Sequence, residues 1–121
     1  MKIYKINAKE KTIEQIEAPT SEDGGIVELD FMLEQIGCRC FDVVRLDEGD
    51  CIFVDDEGLL RSGIQPAFGL SSYNAPLVGN ALVIGSDYEG NSKPPRITLD
   101  KLTDMIEFGF VVLDDGNAIN N

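Results

Sequence analysis

The sequence contains no histidine and only three cysteines in 121 residues. Imidazole is the side chain that most readily exchanges protons near neutral pH and the commonest nitrogen ligand for metals, so its absence closes the usual routes to acid–base and metal chemistry. The thiols Cys38, Cys40 and Cys51 are odd in number. Cys38 and Cys40, one residue apart on a strand, would point to the same face without the geometry for an easy disulfide, so reduced thiols are expected. A zinc site would have to recruit a carboxylate as its fourth ligand, an uncommon structural set, and the ordinary reading of all three is small apolar core residues. Positive charge is scarce as well, with 10 Lys and Arg against 22 Asp and Glu and a formal net charge of −12. That excess repels a phosphate backbone and disfavours direct contact with nucleic acid. No apolar run reaches the roughly 18 residues of a membrane span, and the start, MKIYKINAKEK, is charged where a leader peptide needs an unbroken apolar stretch. A soluble, cytoplasmic protein is expected.

What is present is ordinary globular material, 43% hydrophobic and 26% charged. Disordered acidic chains are much poorer in Ile, Leu, Val and Phe, so the acidity belongs to a folded surface. The length suits a single domain, placed at 1–115 with a frayed tail at 116–121. Alternation around Ile3 to Ile6 and Ile13 to Ile16 predicts an N-terminal hairpin turning near Lys9 to Lys11. After the breaker-rich stretch from Pro19 to Gly25, Leu29, Met32, Leu33 and Ile36 fall at helical spacing, and Gly37 can close that helix in a left-handed cap. Residues 40–61 read as a three-stranded meander, turning at Asp47 to Asp50 and at Asp55 to Gly58 and ending in Leu59-Leu60-Arg61. Ser62 to Pro76, rich in glycine and proline, reads as an ordered loop. Leu77 to Ile84 predicts a central strand covered on both faces, with Gly79-Asn80 at a bulge or a close backbone approach. Thr98 can cap a second helix over 99–108, its stripe formed by Leu99, Leu102 and Ile106, with Gly109 ending it before a strand at Phe110 to Leu113. The fold class is α+β: one domain, an antiparallel sheet with two helices.

No nucleophile stands beside a plausible base, so no catalytic residue, cofactor or metal site is assigned. The acidic turns Asp47/Glu48/Asp50, Asp55/Asp56/Glu57 and Asp87/Glu89 offer oxygens to a hard cation, but none has the EF-hand spacing, and solvated turns are the simpler reading. Gly90-Asn91-Ser92-Lys93 lacks the remainder of a phosphate loop. A nucleotide site would need positive charge or backbone amides for phosphate and an aromatic for the base. Arg61, Phe68, Tyr73 and Asn74 lie on or beside the first long loop, Lys93 and Arg96 precede the capped helix, and Asn80 lies between them; together they form the candidate ligand-binding set. Its bland counterpart is a pair of surface arginines and loop aromatics tucked into the core.

The helix ending LEQIG, the segment FDVVRLDEGDCIFVDDEGLLR, the later LVGNALVIGSD and the following TLDKL span most of residues 29–102. In these the chain resembles a family of small proteins of phages, prophages and plasmids that is catalogued as a domain of unknown function. The resemblance implies an accessory protein of a mobile element, active in the contest between phage and host, and no enzymatic activity. A fold-level analogy extends to the sponges that sequester the signals of Thoeris immunity. Two binding functions follow. One is sequestration of a cyclic nucleotide or cyclic ADP-ribose-type signal; the alternative is an acidic DNA mimic that blocks a basic host nuclease or DNA-binding protein. The long loops and their arginines favour the first, and a small interaction domain of other role is the remaining possibility. Edge strands at Ile3 to Ile16 or Phe110 to Leu113 invite a homodimer.

Overall fold

A computed structural model of the chain describes residues 1–23 and 25–113; the expected end of the domain at 115 and the tail 116–121 lie outside the described residues. In chain order the elements are β1 (Lys2–Asn7), β2 (Thr12–Glu17), α1 (Leu29–Ile36), β3 (Phe41–Arg45), β4 (Asp50–Asp55), β5 (Gly63–Leu70), β6 (Tyr73–Val78), β7 (Asn80–Ser86), β8 (Ser92–Lys93), α2 (Leu99–Met105) and β9 (Ile106–Leu113). Short 3-10 turns occupy Asp47–Gly49 and Gly58–Leu60. The fold is α+β, as expected, and mostly β. Among the described residues no helix is long and apolar enough to cross a membrane.

The strands form two antiparallel sheets rather than one. The larger runs β2-β1-β7-β4-β3 with β8 added to β7, and the smaller runs β6-β5-β9. The apolar run that forms β7 explains the layering: Ala81, Leu82, Val83 and Ile84 are all buried, and alternate residues project to opposite faces. On one face Leu82 and Ile84 join Ile3 under Met32 and Ile36 of α1. On the other, Ala81 and Val83 meet Ile6 and Ile52 and pack against Phe68, Leu70 and Leu77 of the smaller sheet and Leu102 of α2. β7 is thus the central, doubly covered strand that its composition predicts.

The predicted N-terminal hairpin is present, with Ile3 opposite Ile16 and Ile6 opposite Ile13. Helix α1 has the predicted limits and ends on Gly37 at φ 78°, where the N–H groups of Gly37 and Cys38 both donate to the Leu33 carbonyl, at 2.8 and 3.1 Å. Thr98 caps α2, its hydroxyl accepting from Lys101 N at 3.2 Å.

Elsewhere the tertiary context overrides the local pattern. Leu59-Leu60-Arg61 is not the third strand of a meander. Gly58 lies so close to Val78 that a Cβ there would fall 3.0 Å from the valine Cβ, the chain turns tightly, and both leucines remain exposed. The stretch 62–76 is not a loop but the β5–β6 hairpin. Pro66 is tolerated in β5 because β6 has already ended beside it, and its carbonyl accepts from Gly79 N at 3.0 Å. Residues 77–84 are not one strand either: Gly79, at φ 88°, is a corner at which the chain passes from the smaller sheet to the larger. Helix α2 stops at Met105, not at 108, so Leu102 alone of its predicted stripe is fully buried, while Ile106 and Gly109 lie in β9, paired with Leu70 and Ala67. Ile106 sits four residues after Leu102 and fits a helical stripe, but the run IEFGFVVL is β-branched and aromatic and finds in β5 a partner of its own length. The three thiols are free, as expected, but only Cys51 is a core residue; Cys38 is half-buried, Cys40 is exposed, and both precede β3 rather than lying on a strand.

Candidate functional site

The structure does not gather the predicted ligand residues into one place. Phe68 is 1% exposed and belongs to the core between the sheets, out of reach of a ligand. Tyr73 and Asn74 are exposed on β6 and line an open hollow whose opposite wall carries Asp104 and Glu107. Asn80 is half-buried and donates to the Gln35 carbonyl at 3.4 Å, tying β7 to α1. Lys93 lies 3.8 Å from Asp87, and Arg96 donates from Nη1 to the Ser86 carbonyl at 3.0 Å. Arg61 and Arg96 line different hollows.

The acidic turns also separate. In the Asp87 turn the carboxylate accepts from the N–H groups of Asn91 and Glu89, each at 2.9 Å. The Asn91 amide above all, then that of Glu89, the Asn91 side chain and nearby Lys93, holds this carboxyl below its usual range. A lowered carboxylate stabilises its turn fully above the unfolded value and loses that contribution as pH falls through the lowered one. The Asn91 and Glu89 amide resonances are therefore expected to shift together on acidification, with a midpoint below 3.8. In Asp87→Asn the transition should be absent; a midpoint at or above the ordinary carboxyl value in the native chain would refute the assignment. Asp50, by contrast, is no solvated turn. It is 1% exposed, and its carboxylate accepts from Arg96 N at 2.9 and 3.0 Å and from Ile97 N at 2.8 Å. Among the described residues no group of three or more Cys, Asp or Glu converges on a point where a metal could sit.

A hollow of about 690 Å³ opens beside Arg61, where the end of α1 meets the turn after β4. The left-handed cap at Gly37 bends the chain there, bringing Leu33, Glu34, Cys38 and Arg39 opposite Glu57, Leu60 and Arg61. Sequence reasoning selected Arg61 but missed Glu34, Arg39 and Glu57 as its companions. The signal was available: LEQIG and DDEGLLR both stand out as motifs, but nothing in one segment announces the other as its neighbour.

Both arginines of this hollow are already neutralised by carboxylates. Arg39 grips Glu57 with Nη2 at 2.8 Å from each carboxylate oxygen and Nε at 3.3 Å from one of them. That hydrogen-bonded pair holds Arg39 protonated even more firmly than usual. Arg61 is paired with the nearly buried Asp55 through Nε, at 3.1 Å, and Nη2. Burial, reinforced by the Asp55 charge, pushes the Cys38 thiol up, so it is a poor nucleophile. Glu34, in the last turn of α1, forms no ion pair among the described residues. The cleft therefore presents two leucines and spare negative charge, a surface suited to the aliphatic stem and charged head of a lysine or arginine.

Among known proteins, the chain is 35% identical over 65 residues to the uncharacterized protein y4iR of Sinorhizobium fredii (strain NBRC 101917 / NGR234). That match covers 54% of this chain and 40% of the relative. No solved structure matches. The sequence model of a domain of unknown function, DUF3846, matches residues 1–107, so the chain belongs to that family.

Proposed function

We propose that the protein is a stoichiometric, non-catalytic binder of a basic partner: an acidic accessory protein of a mobile element that occupies the positive surface of a host nuclease or DNA-binding protein. The observation that carries this reading is the state of the arginines at the hollow beside α1, both already held by carboxylates. An anionic signal would have to displace Glu57 and Asp55 to reach them, and the charge left over is negative. Supporting it, α1 carries Asp30 and Glu34 four residues apart and has no basic residue in its last turn. Like charges at that spacing, and a carboxylate at the negative end of the helix dipole, each cost the helix a few tenths of a kcal/mol. A helix selected for stability alone would carry lysine at position 34.

Glu34→Lys separates function from folding. It should raise the midpoint of urea unfolding slightly while weakening capture of basic DNA-binding proteins and nucleases by the immobilised chain, and capture by the native chain should fall as salt is raised. The sequestration reading makes the opposite forecast. Calorimetric binding of cyclic dinucleotides or cyclic ADP-ribose isomers, lost in Arg61→Ala, with no salt-sensitive capture of any basic protein, would overturn the proposal.

A further inference from the structure

Beyond residue 66, toward its N-terminal end, β5 has lost β6 as a neighbour, because the β5–β6 register begins at Ala67 opposite Val78. Gly63 to Pro66 and Phe110 to Leu113 continue together as a two-stranded ribbon. The register places Ile64 opposite Val112 and Pro66 opposite Phe110, and alternate residues share a face, so these side chains form one continuous surface. Nearer the core the same face is covered, with Phe68 and Leu70 buried. Farther out Ile64 is 70%, Phe110 67% and Val112 70% exposed. The patch amounts to roughly 400 Å² of apolar surface, in the range of the largest patch on a typical monomer, which is often a functional one. Its outer border is the free backbone edge of β9, since β9 ends the smaller sheet among the described residues.

We propose that this patch and the β9 edge join two copies of the chain, β9 pairing antiparallel with β9 of the second copy about a twofold axis. The occupant must supply an unpaired strand edge and apolar side chains, and it must not bring carboxylates against carboxylates. On a chain with a net charge of −12 that last condition is severe, and over residues 106–113 the ribbon meets it. β9 carries Glu107 as its only charge and no lysine or proline to block pairing, and residues 63–66 carry no charge. Pairing along the β9 edge buries its free backbone groups and the flanks of Phe110 and Val112, against the roughly 600 Å² per copy that a small specific interface needs.

The measurement is sedimentation equilibrium of the full chain at tens of micromolar, with and without added salt. A dimer is expected, and it should tighten with salt because screening relieves the repulsion between two acidic bodies, the reverse of the salt response expected for a basic partner. Phe110→Lys and Val112→Lys alter exposed side chains, so circular dichroism and the unfolding midpoint should hold while the mass falls to that of a monomer. A native chain that is monomeric throughout, or a dimer that survives both substitutions, would overturn the inference and would leave the basic-partner reading untouched.

Discussion

Asp50→Ala is expected to destabilise the protein by about 3–5 kcal/mol, because it removes a buried carboxylate and leaves the part-buried N–H groups of Arg96 and Ile97 without acceptors. The carboxylate at the start of β4 accepts from the backbone of Arg96 and Ile97, far away in sequence, and so pins the segment that leads into α2. For a domain of this size the loss corresponds to a fall of roughly 10–20 °C in Tm. Asp50→Asn should cost less, since its remaining oxygen can still accept from one of the amides. Arg96→Ala separates the two contributions. The guanidinium lies 3.9 Å from Asp50 and is 43% exposed, so its removal should cost about 1 kcal/mol or less. Urea unfolding of the three variants checks the order. If Arg96→Ala proved as damaging as Asp50→Ala, the ion pair rather than the amides would be holding the loop.

Asp50 also marks the limit of what the sequence makes legible. Asp47, Glu48 and Asp50 look alike as a polar turn, and only the pairing of β4 with β7 and the passage of residues 96–97 beside it make one of them buried. Information that is local came through: the alternation of β1 and β2, the 3.6-residue stripe and glycine cap of α1, the Thr98 cap, and the apolar run Ala81 to Ile84 within β7. Each depends on side chains within a few residues of one another.

The parts that were misread depend on distant partners. Gly63, Pro66 and Gly69 resemble loop punctuation, yet β5 forms because β9 supplies a full-length ladder for it. The candidate site was fragmentary for the same reason. Arg61 was visible as a cation beside a turn, but whether it is available to an anion depends on Asp55, and whether it has a neighbour depends on the chain reversal at Gly37. Phe68 was selected for its ring and then claimed by the core, where a large apolar side chain contributes most.

Gly85→Ala is the second large effect expected, and its cause is steric rather than conformational. The residue sits in β7 between its partners Asp50 on β4 and Lys93 on β8. An added Cβ would lie 2.7 Å from the Pro94 carbonyl oxygen, 3.1 Å from the Lys93 carbonyl oxygen and 3.1 Å from Asp50 Oδ1. Backbone carbonyls cannot swing aside, so relief requires moving residues 93–94, and that loosens the amides Asp50 holds two and three residues farther on. Overpacking of this kind costs roughly 1–3 kcal/mol, and strain on the carboxylate's hydrogen bonds places the expected value toward the upper end. Gly109→Ala provides the contrast, because nothing lies within 4 Å of a Cβ there. It should be neutral or stabilise by up to about 1 kcal/mol through the unfolded chain. Since Gly85 and Asp50 act on the same segment, the double variant Gly85→Ala/Asp50→Ala should cost clearly less than the sum of the single changes when unfolding is followed in urea. Strict additivity would show that the close approach at Gly85 and the carboxylate staple are independent.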